Sequence, residues 1–332
     1  ESGRVIMNNK VSLGWLLAGA LVATNAMAEQ YDFEVELAYG RSQFDGSQTI
    51  TTQGGTIFNS TESDSDDLGL IGSWYFAGLS DDKGPRARAV FVDRASSFSF
   101  GYLRSEQSTS TFITSDDPAF TFPAVVPEFE SSGNTYSADI RYVHKSSGWF
   151  GQAGLLSANT TLSGFVSNSV DATGWSLGVG KYLFDMTALS LDFSEVDVDG
   201  GGSATVTAVS LTHLGNLGSS WQYAIDVAYS RADADFGTEI DTWAAALAFY
   251  PTRDFEFGIA YEDVSNNSSA FIDLSTTGVE GFASWHVTPK VRLAARYRVD
   301  DPDYLGNVSI GGSPTVSDAD QSSFGISAAI RF

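Results

Sequence analysis

From Tyr31 onward, apolar and polar residues alternate one for one along most of the chain. Tyr31, Phe33, Val35, Leu37 and Tyr39 are interleaved with Asp32, Glu34, Glu36, Ala38 and Gly40, and at the far end Phe324, Ile326, Ala328, Ile330 and Phe332 are interleaved with Ser323, Gly325, Ser327, Ala329 and Arg331. Side chains at i and i+2 share one face of a strand, so each such segment has an oily face and a polar one. The pattern predicts fourteen strands, near residues 30–44, 66–77, 87–105, 133–144, 148–159, 171–183, 187–198, 203–214, 219–231, 238–250, 253–264, 273–287, 290–300 and 320–332. No helical period competes with them. The eight prolines, at 85, 118, 123, 127, 251, 289, 302 and 314, fall outside these segments or at their ends, as a residue without an amide proton must.

Each segment is long enough to cross a bilayer as a tilted strand, which takes roughly 9–11 residues. The connections alternate in length. Ser146-Ser147, Asp185-Met186, Pro251-Thr252 and Thr288-Pro289 are terse, whereas Asp45–Ser65, Glu106–Ser132 and Asp301–Ala319 are long. Such segregation fits a transmembrane barrel with short turns on the periplasmic side and long loops outside. Trp74, Trp149, Trp175, Trp221, Trp243 and Trp285 all fall on the oily phase, most of them near a segment end, where amphipathic rings favour the headgroup level. The predicted fold is therefore an all-β, antiparallel, up-and-down transmembrane barrel of about 14 strands. Two alternatives stand beside it: a soluble β core filled by these aromatics, and a 16-stranded barrel in which Ser47–Ser60 forms its own membrane hairpin. Thr49–Thr52 and Thr56–Asn59 are read instead as an extension of the first hairpin about Gly54-Gly55.

Composition narrows the chemistry. The 332 residues include no cysteine, which excludes disulfides, thiolate metal sites and a cysteine nucleophile. With 41 acidic and 18 basic residues the formal charge is −23, which repels a polyphosphate backbone and excludes a general nucleic-acid binder. The mean hydropathy of −0.06 would by itself suggest a soluble protein, because alternation averages the two faces away. Met7–Ala28 has the form of a secretory signal peptide: Lys10, an apolar stretch from Val11 to Ala23 too short to anchor in a bilayer, then Ala26-Met27-Ala28 before Glu29. Residues 1–28 are expected to be a cleaved leader, with Glu1–Ile6 preceding a natural start at Met7, and residues 29–332 a single barrel domain.

The terminal Phe332 closing an alternating strand resembles the C-terminal signal of bacterial outer-membrane β-barrels, and Gly84–Ser97, reading GPRARAVFVDRASS, is similar to a segment of general porins from Gram-negative bacteria. The resemblance implies a porin in the outer membrane: a water-filled channel for passive diffusion of ions and small hydrophilic solutes, surrounded by lipid and lipopolysaccharide. It further implies recognition of Phe332 by the outer-membrane assembly machinery, a monomer or homotrimer, and no cofactor. A substrate-selective channel and a non-conducting structural or adhesive barrel are the competing readings. The small residues of the polar face and the lack of any recognisable plug domain favour the open channel.

If the oily phase meets lipid, the polar phase lines a lumen. The expected pore-lining residues are Arg292, Arg296, Arg298, Arg331, Asp32, Glu34, Glu36, Arg141, Asp139 and Glu256. The bases of the 290–300 strand and the acids of the first strand lie close on one wall, where they either create a transverse field or neutralise one another. Net acidity predicts a preference for cations. Arg86–Arg94 is read as the start of the third strand, with a piece folded inward as the alternative. The loop Glu106–Ser132, carrying Phe112, Phe120, Phe122 and Phe129, is expected to constrict the mouth, latch onto a neighbouring subunit or pack on itself. Glu62, Asp64, Asp66 and Asp67 either hold divalent cations near lipopolysaccharide phosphates or are simply solvated. His144, His213 and His286 fall on three separated strands, so no acid–base or nucleophilic grouping is visible and no catalysis is expected.

Overall fold

The computed structural model describes residues 31–51, 56–80, 84–115, 126–164, 168–200, 202–218, 221–235, 238–268, 273–305 and 316–332. The leader, residues 1–28, and Gly54-Gly55 lie outside them. Fourteen strands are formed: β1 (Tyr31–Thr51), β2 (Thr56–Leu79), β3 (Ser97–Ser115), β4 (Val126–His144), β5 (Trp149–Ser163), β6 (Asn168–Phe184), β7 (Thr187–Val198), β8 (Gly202–Leu217), β9 (Trp221–Ala234), β10 (Thr238–Tyr250), β11 (Phe255–Ser268), β12 (Asp273–Thr288), β13 (Val291–Leu305) and β14 (Val316–Arg331). Each pairs antiparallel with its sequence neighbours, and β1 closes on β14 with Glu34 opposite Arg331 through to Thr49 opposite Val316. Closure leaves no edge to template aggregation and satisfies every ladder internally, the condition for crossing hydrocarbon with strands.

The oily phase faces outward. Leu155 is 66% exposed, Leu177 55% and Ile259 53%, values that would be untenable around a soluble core but are required of a lipid-facing band. Aromatic residues border that band at both rims. Toward the short turns stand Trp74, Trp149, Trp221 and Trp285, all exposed. Toward the long loops, Tyr102 lies opposite Tyr136 and Tyr229 opposite Trp243, the latter rings 4.7 Å apart. Just beyond the second rim the outer face turns polar: Tyr39 donates to Asp66 at 2.6 Å, Tyr229 to Asp241 at 2.7 Å, and Arg231 pairs with Glu239 at 2.6 Å. Apolar band, aromatic rims and polar girdle follow one another as the depth profile of a bilayer dictates.

The loop-side wall is uneven. β1 to β4 run 21, 24, 19 and 19 residues, whereas β7 has 12. Residues 45–51 and 56–65 are a continuation of the first hairpin, Thr49 opposite Phe58 and Thr51 opposite Thr56, so the 16-strand alternative is excluded. Glu106–Ser132 is also not a loop along its length. Residues 106–115 pair with β2 and 126–132 belong to β4, whose hairpin with β3 stands above the bilayer with Phe112 and Phe129 exposed. Phe120 and Phe122 lie outside the described residues. Serine and threonine dominate 105–115, and β-branched residues tolerate a wet strand as readily as a buried one. Proline is accommodated inside β13 at Pro302, beyond the point where its register with β14 stops at Asp300 opposite Gln321.

The expectation that Arg86–Arg94 begins the third strand is overturned. β3 starts at Ser97, and the preceding residues form a turn of 3-10 helix (Arg86–Arg88) and one turn of α-helix, α1 (Ala89–Val92). Pro85 sets the entry in an extended conformation, φ −61° and ψ 132°. At the exit Ala95 N–H donates to Val90 at 3.0 Å and Arg94 N–H to Phe91 at 3.2 Å, with Arg94 at φ 51°. This is a Schellman closure, in which one residue in the left-handed region satisfies the last carbonyls. Its usual apolar contact is present too, Val90 packing on the cluster that contains Ala95. The closure returns the chain from the interior to the wall, where β3 begins at Ser97.

Candidate functional site

The inner face of the barrel is the alternate phase to the lipid band, and glycine, alanine and serine leave room along it. Gly154 and Gly178 are examples where the space is used: a Cβ on either would collide with the carboxylate of Asp139 or Asp192 on the adjacent strand. Asp192 accepts from Gln152 at 2.5 Å and from Ser190 at 2.9 Å.

The charged residues expected on this face are distributed as follows. Arg331, 4% exposed, pairs with Glu34, and Arg292 pairs with Glu36 at 2.7 Å. Arg298 is held from two sides, its Nη1 on Glu262 at 2.8 Å and its Nε on Asp300 at 2.7 Å. Glu256 accepts from Tyr250 at 2.7 Å and from Ser284 at 2.9 Å. Arg141 has no carboxylate partner among the described residues; its guanidinium lies 4.1 Å from the centre of the Phe150 ring. Arg296 extends over Gly325 and is exposed, without an ion pair among the described residues. Asp32 is exposed in the register shift between Tyr31 and Phe33, outside the ladder that carries Glu34 and Glu36. Cross-wall pairs between β1, β14 and β13 therefore absorb much of the charge, and Arg296 is left uncompensated. Arg331→Gln removes the short ion pair of Glu34 and leaves it only Arg292 at 3.8 Å, and is expected to cost about 2 kcal/mol of folding stability, read from urea unfolding in detergent micelles.

Across the short-turn end of the interior lies the segment 84–96. Arg88 reaches β9 and β10, its Nη2 donating to Asp226 Oδ2 at 2.6 Å and its Nε to the Tyr250 hydroxyl at 2.8 Å. Arg86 pairs with Asp254, its backbone N–H donates to Arg253 at 2.9 Å, and its carbonyl accepts from Arg331 at 3.3 Å. Arg94 pairs with Asp185 at 3.1 Å and lies over the Tyr182 ring. Between these polar ties, Phe91 bridges two apolar clusters, Val143, Phe150, Tyr182 and Ala188 on one side and Leu214, Ala224, Ala248 and Tyr250 on the other. Val90 meets a third, Tyr31, Tyr75, Leu79 and Ala95. The segment thus touches the wall from β1 and β2 round to β10, and through Arg86 it reaches Asp254 and β14. The partners of this segment, Asp185, Asp226, Tyr250 and Asp254, were not linked to it in the sequence.

The histidines do not assemble a site. His144 bonds Ser147 at 2.7 Å within its own exposed turn, His213 bonds Thr187 at 2.9 Å, and His286 is buried on β12. Among the described residues no group of three or more His, Asp or Glu is placed to hold a metal ion. Glu62, Asp64 and Asp66 share the exposed face of β2 and Asp67 lies on the other; Asp64 and Asp66 bond Arg41 and Tyr39, and Asp67 accepts from Ser105 at 2.5 Å.

No protein-family model and no curated protein matches the chain. Among solved structures it is similar to a mutant of TodX, a monoaromatic hydrocarbon channel, at 14% identity over 94% of each chain, with a TM-score of 0.51. It is also similar to the outer-membrane protein Omp33 of Acinetobacter baumannii, at 16% identity over 92% of this chain and 100% of that one, TM-score 0.49. The fold is that of an outer-membrane β-barrel: fourteen antiparallel strands, closed, with a lipid-facing outer band.

Proposed function

We propose that the mature chain, after loss of residues 1–28, is a channel in the outer membrane of a Gram-negative bacterium through which ions and small hydrophilic solutes diffuse passively, and that residues 84–96 hold it closed at its periplasmic end. The observation that carries this reading is a polar, small-residue inner wall enclosed by an apolar outer one. A 14-stranded barrel lies between the 8-stranded barrels filled by their own side chains and the 16–18-stranded porins with an aqueous lumen, and on this reading the inward-folded segment is what closes it. Of the expected pore-lining residues, Arg296 and Asp139, exposed on the inner wall, are the charges that meet a passing ion, whereas Arg331 is 4% exposed and serves the wall itself. Lipid and lipopolysaccharide surround the barrel, and the backbone N–H of Phe332 donates to Phe33 at 2.8 Å, joining the end of β14 to β1. No catalytic step is assigned.

The test is current, under a salt gradient, through a planar bilayer holding the refolded mature protein with Arg88→Ala and Phe91→Ala, in which the closing segment is released. The acidic excess predicts a cation-favouring reversal potential, reduced by Asp139→Asn and increased by Arg296→Gln. An anion-favouring value, or an ohmic lumen unaffected by either change, contradicts the reading.

A further inference from the structure

One row of paired positions on the inner wall has an unusual composition. Following the register from β9 to β13, Asp226 lies opposite Ala246, Ala246 opposite Ala260, Ala260 opposite Glu280, and Glu280 opposite Arg298. Two carboxylates are therefore separated by a smooth floor of methyl groups, which Ala228 and Ala244 widen. A cavity of about 250 Å³ opens over it, smaller than the roughly 300–1,000 Å³ of sites for drug-sized ligands.

The two carboxylates are in different states. Asp226 is occupied, accepting from Arg88 Nη2 at 2.6 Å and from Thr212 at 2.8 Å. Glu280 is not. The arginine directly across from it, Arg298, is turned away by Glu262 and Asp300, and Glu280 has no hydrogen bond or ion pair among the described residues. The half-buried wall thus carries an uncompensated anion at one end of an apolar floor and, at the other, an anion neutralised only by the segment that closes the channel. At the edge of this cavity Asp226 already holds a guanidinium, that of Arg88, which shows the kind of cation this carboxylate accepts; the alanine floor beside it offers a surface for an aliphatic stem.

We propose that this cavity binds small aliphatic cations of the guanidinium type, and that such a solute, attracted by Glu280 and competing with Arg88 for Asp226, releases residues 84–96 and opens the channel for its own passage. The inference rests on the channel reading above. A ligand shifts such an equilibrium only by its differential affinity for the two states. Here the difference has a source, because Asp226 is available to solute only when Arg88 has left it.

The experiment uses butylguanidinium and its neutral isostere butylurea, added to refolded mature protein in planar bilayers. Butylguanidinium at millimolar concentration is expected to raise the conductance of the native sequence several-fold above that in butylurea, and Glu280→Gln to raise the half-maximal concentration about twofold, the loss of one attracting charge three strands from Asp226. Equal responses to the two probes, or a Glu280→Gln variant with an unshifted half-maximal concentration, overturn the proposal. The Arg88→Ala, Phe91→Ala double variant separates this from failure of the channel reading. If it conducts while the native protein ignores butylguanidinium, the lumen is a channel without this solute site; if it does not conduct, the channel reading itself has failed and the proposal falls with it.

Discussion

Replacing Arg88 and Phe91 together by alanine is expected to convert an occluded barrel into a steadily conducting one. Arg88 contributes charge-assisted bonds to Asp226 and a bond to Tyr250, and Phe91 joins the two apolar clusters of the wall. A hydrogen bond to a charged group is worth about 1.5–3 kcal/mol and deletion of a packed phenyl about 3–5 kcal/mol, the lower figures applying because both side chains are only partly buried. Even a loss of about 3 kcal/mol shifts the ratio of closed to open segment by about 100-fold. The barrel itself is spared, since its fourteen ladders do not include residues 86–95. Single-channel recording reads the result directly. Variant currents no larger than those of the native sequence, from protein with unchanged strand content, would mean that the segment does not block the lumen.

The second large effect is on stability in lipid. Ile259→Arg places a charge in the middle of the outward band, where it is expected to cost about 2–4 kcal/mol. Its neighbour Ala260 faces the interior, and Ala260→Ser should stay within about 0.5 kcal/mol. Urea titration of the barrel in phospholipid vesicles measures both. Comparable costs at the two positions would mean that the faces have been assigned wrongly.

These two predictions draw on parts of the molecule that differ in how legible they are in sequence. Strand number, order and face follow from alternation, because one property, contact with hydrocarbon, is imposed on every second residue from Phe33 to Ile330. The extension of the first hairpin was readable from its turn residues, Gly54-Gly55, rather than from alternation. Residues 86–95 were not. Arg86, Arg88, Ala87 and Ala89 alternate as in a strand, yet Ala87, Val90, Phe91 and Ala95 also fit the spacing of a helix face. In so short a window both periods score alike. What decides between them is tertiary: Asp226 and Asp254, which follow Arg88 and Arg86 at separations of 138 and 168 residues. Nothing local to the segment encodes those partners. The uncompensated state of Glu280 was equally hidden, because Arg298 stands opposite it in the register and only side-chain geometry shows that guanidinium turned toward Glu262 and Asp300. The hairpin of β3 and β4 was misread as a loop because above the headgroups alternation is no longer enforced by lipid, and serine and threonine on both faces erase the signal.

The most direct test uses the absence of native cysteine. Single cysteines placed in turn at 256 to 262 on β11, in the mature protein refolded into lipid vesicles, are challenged with a water-soluble thiol reagent and a lipid-soluble one. Positions 257, 259 and 261 should react only with the lipid-soluble reagent, and 258, 260 and 262 with the aqueous one. Uniform aqueous reactivity, or the same alternation with the two reagents exchanged, would contradict a barrel whose oily phase meets hydrocarbon and whose polar phase encloses water.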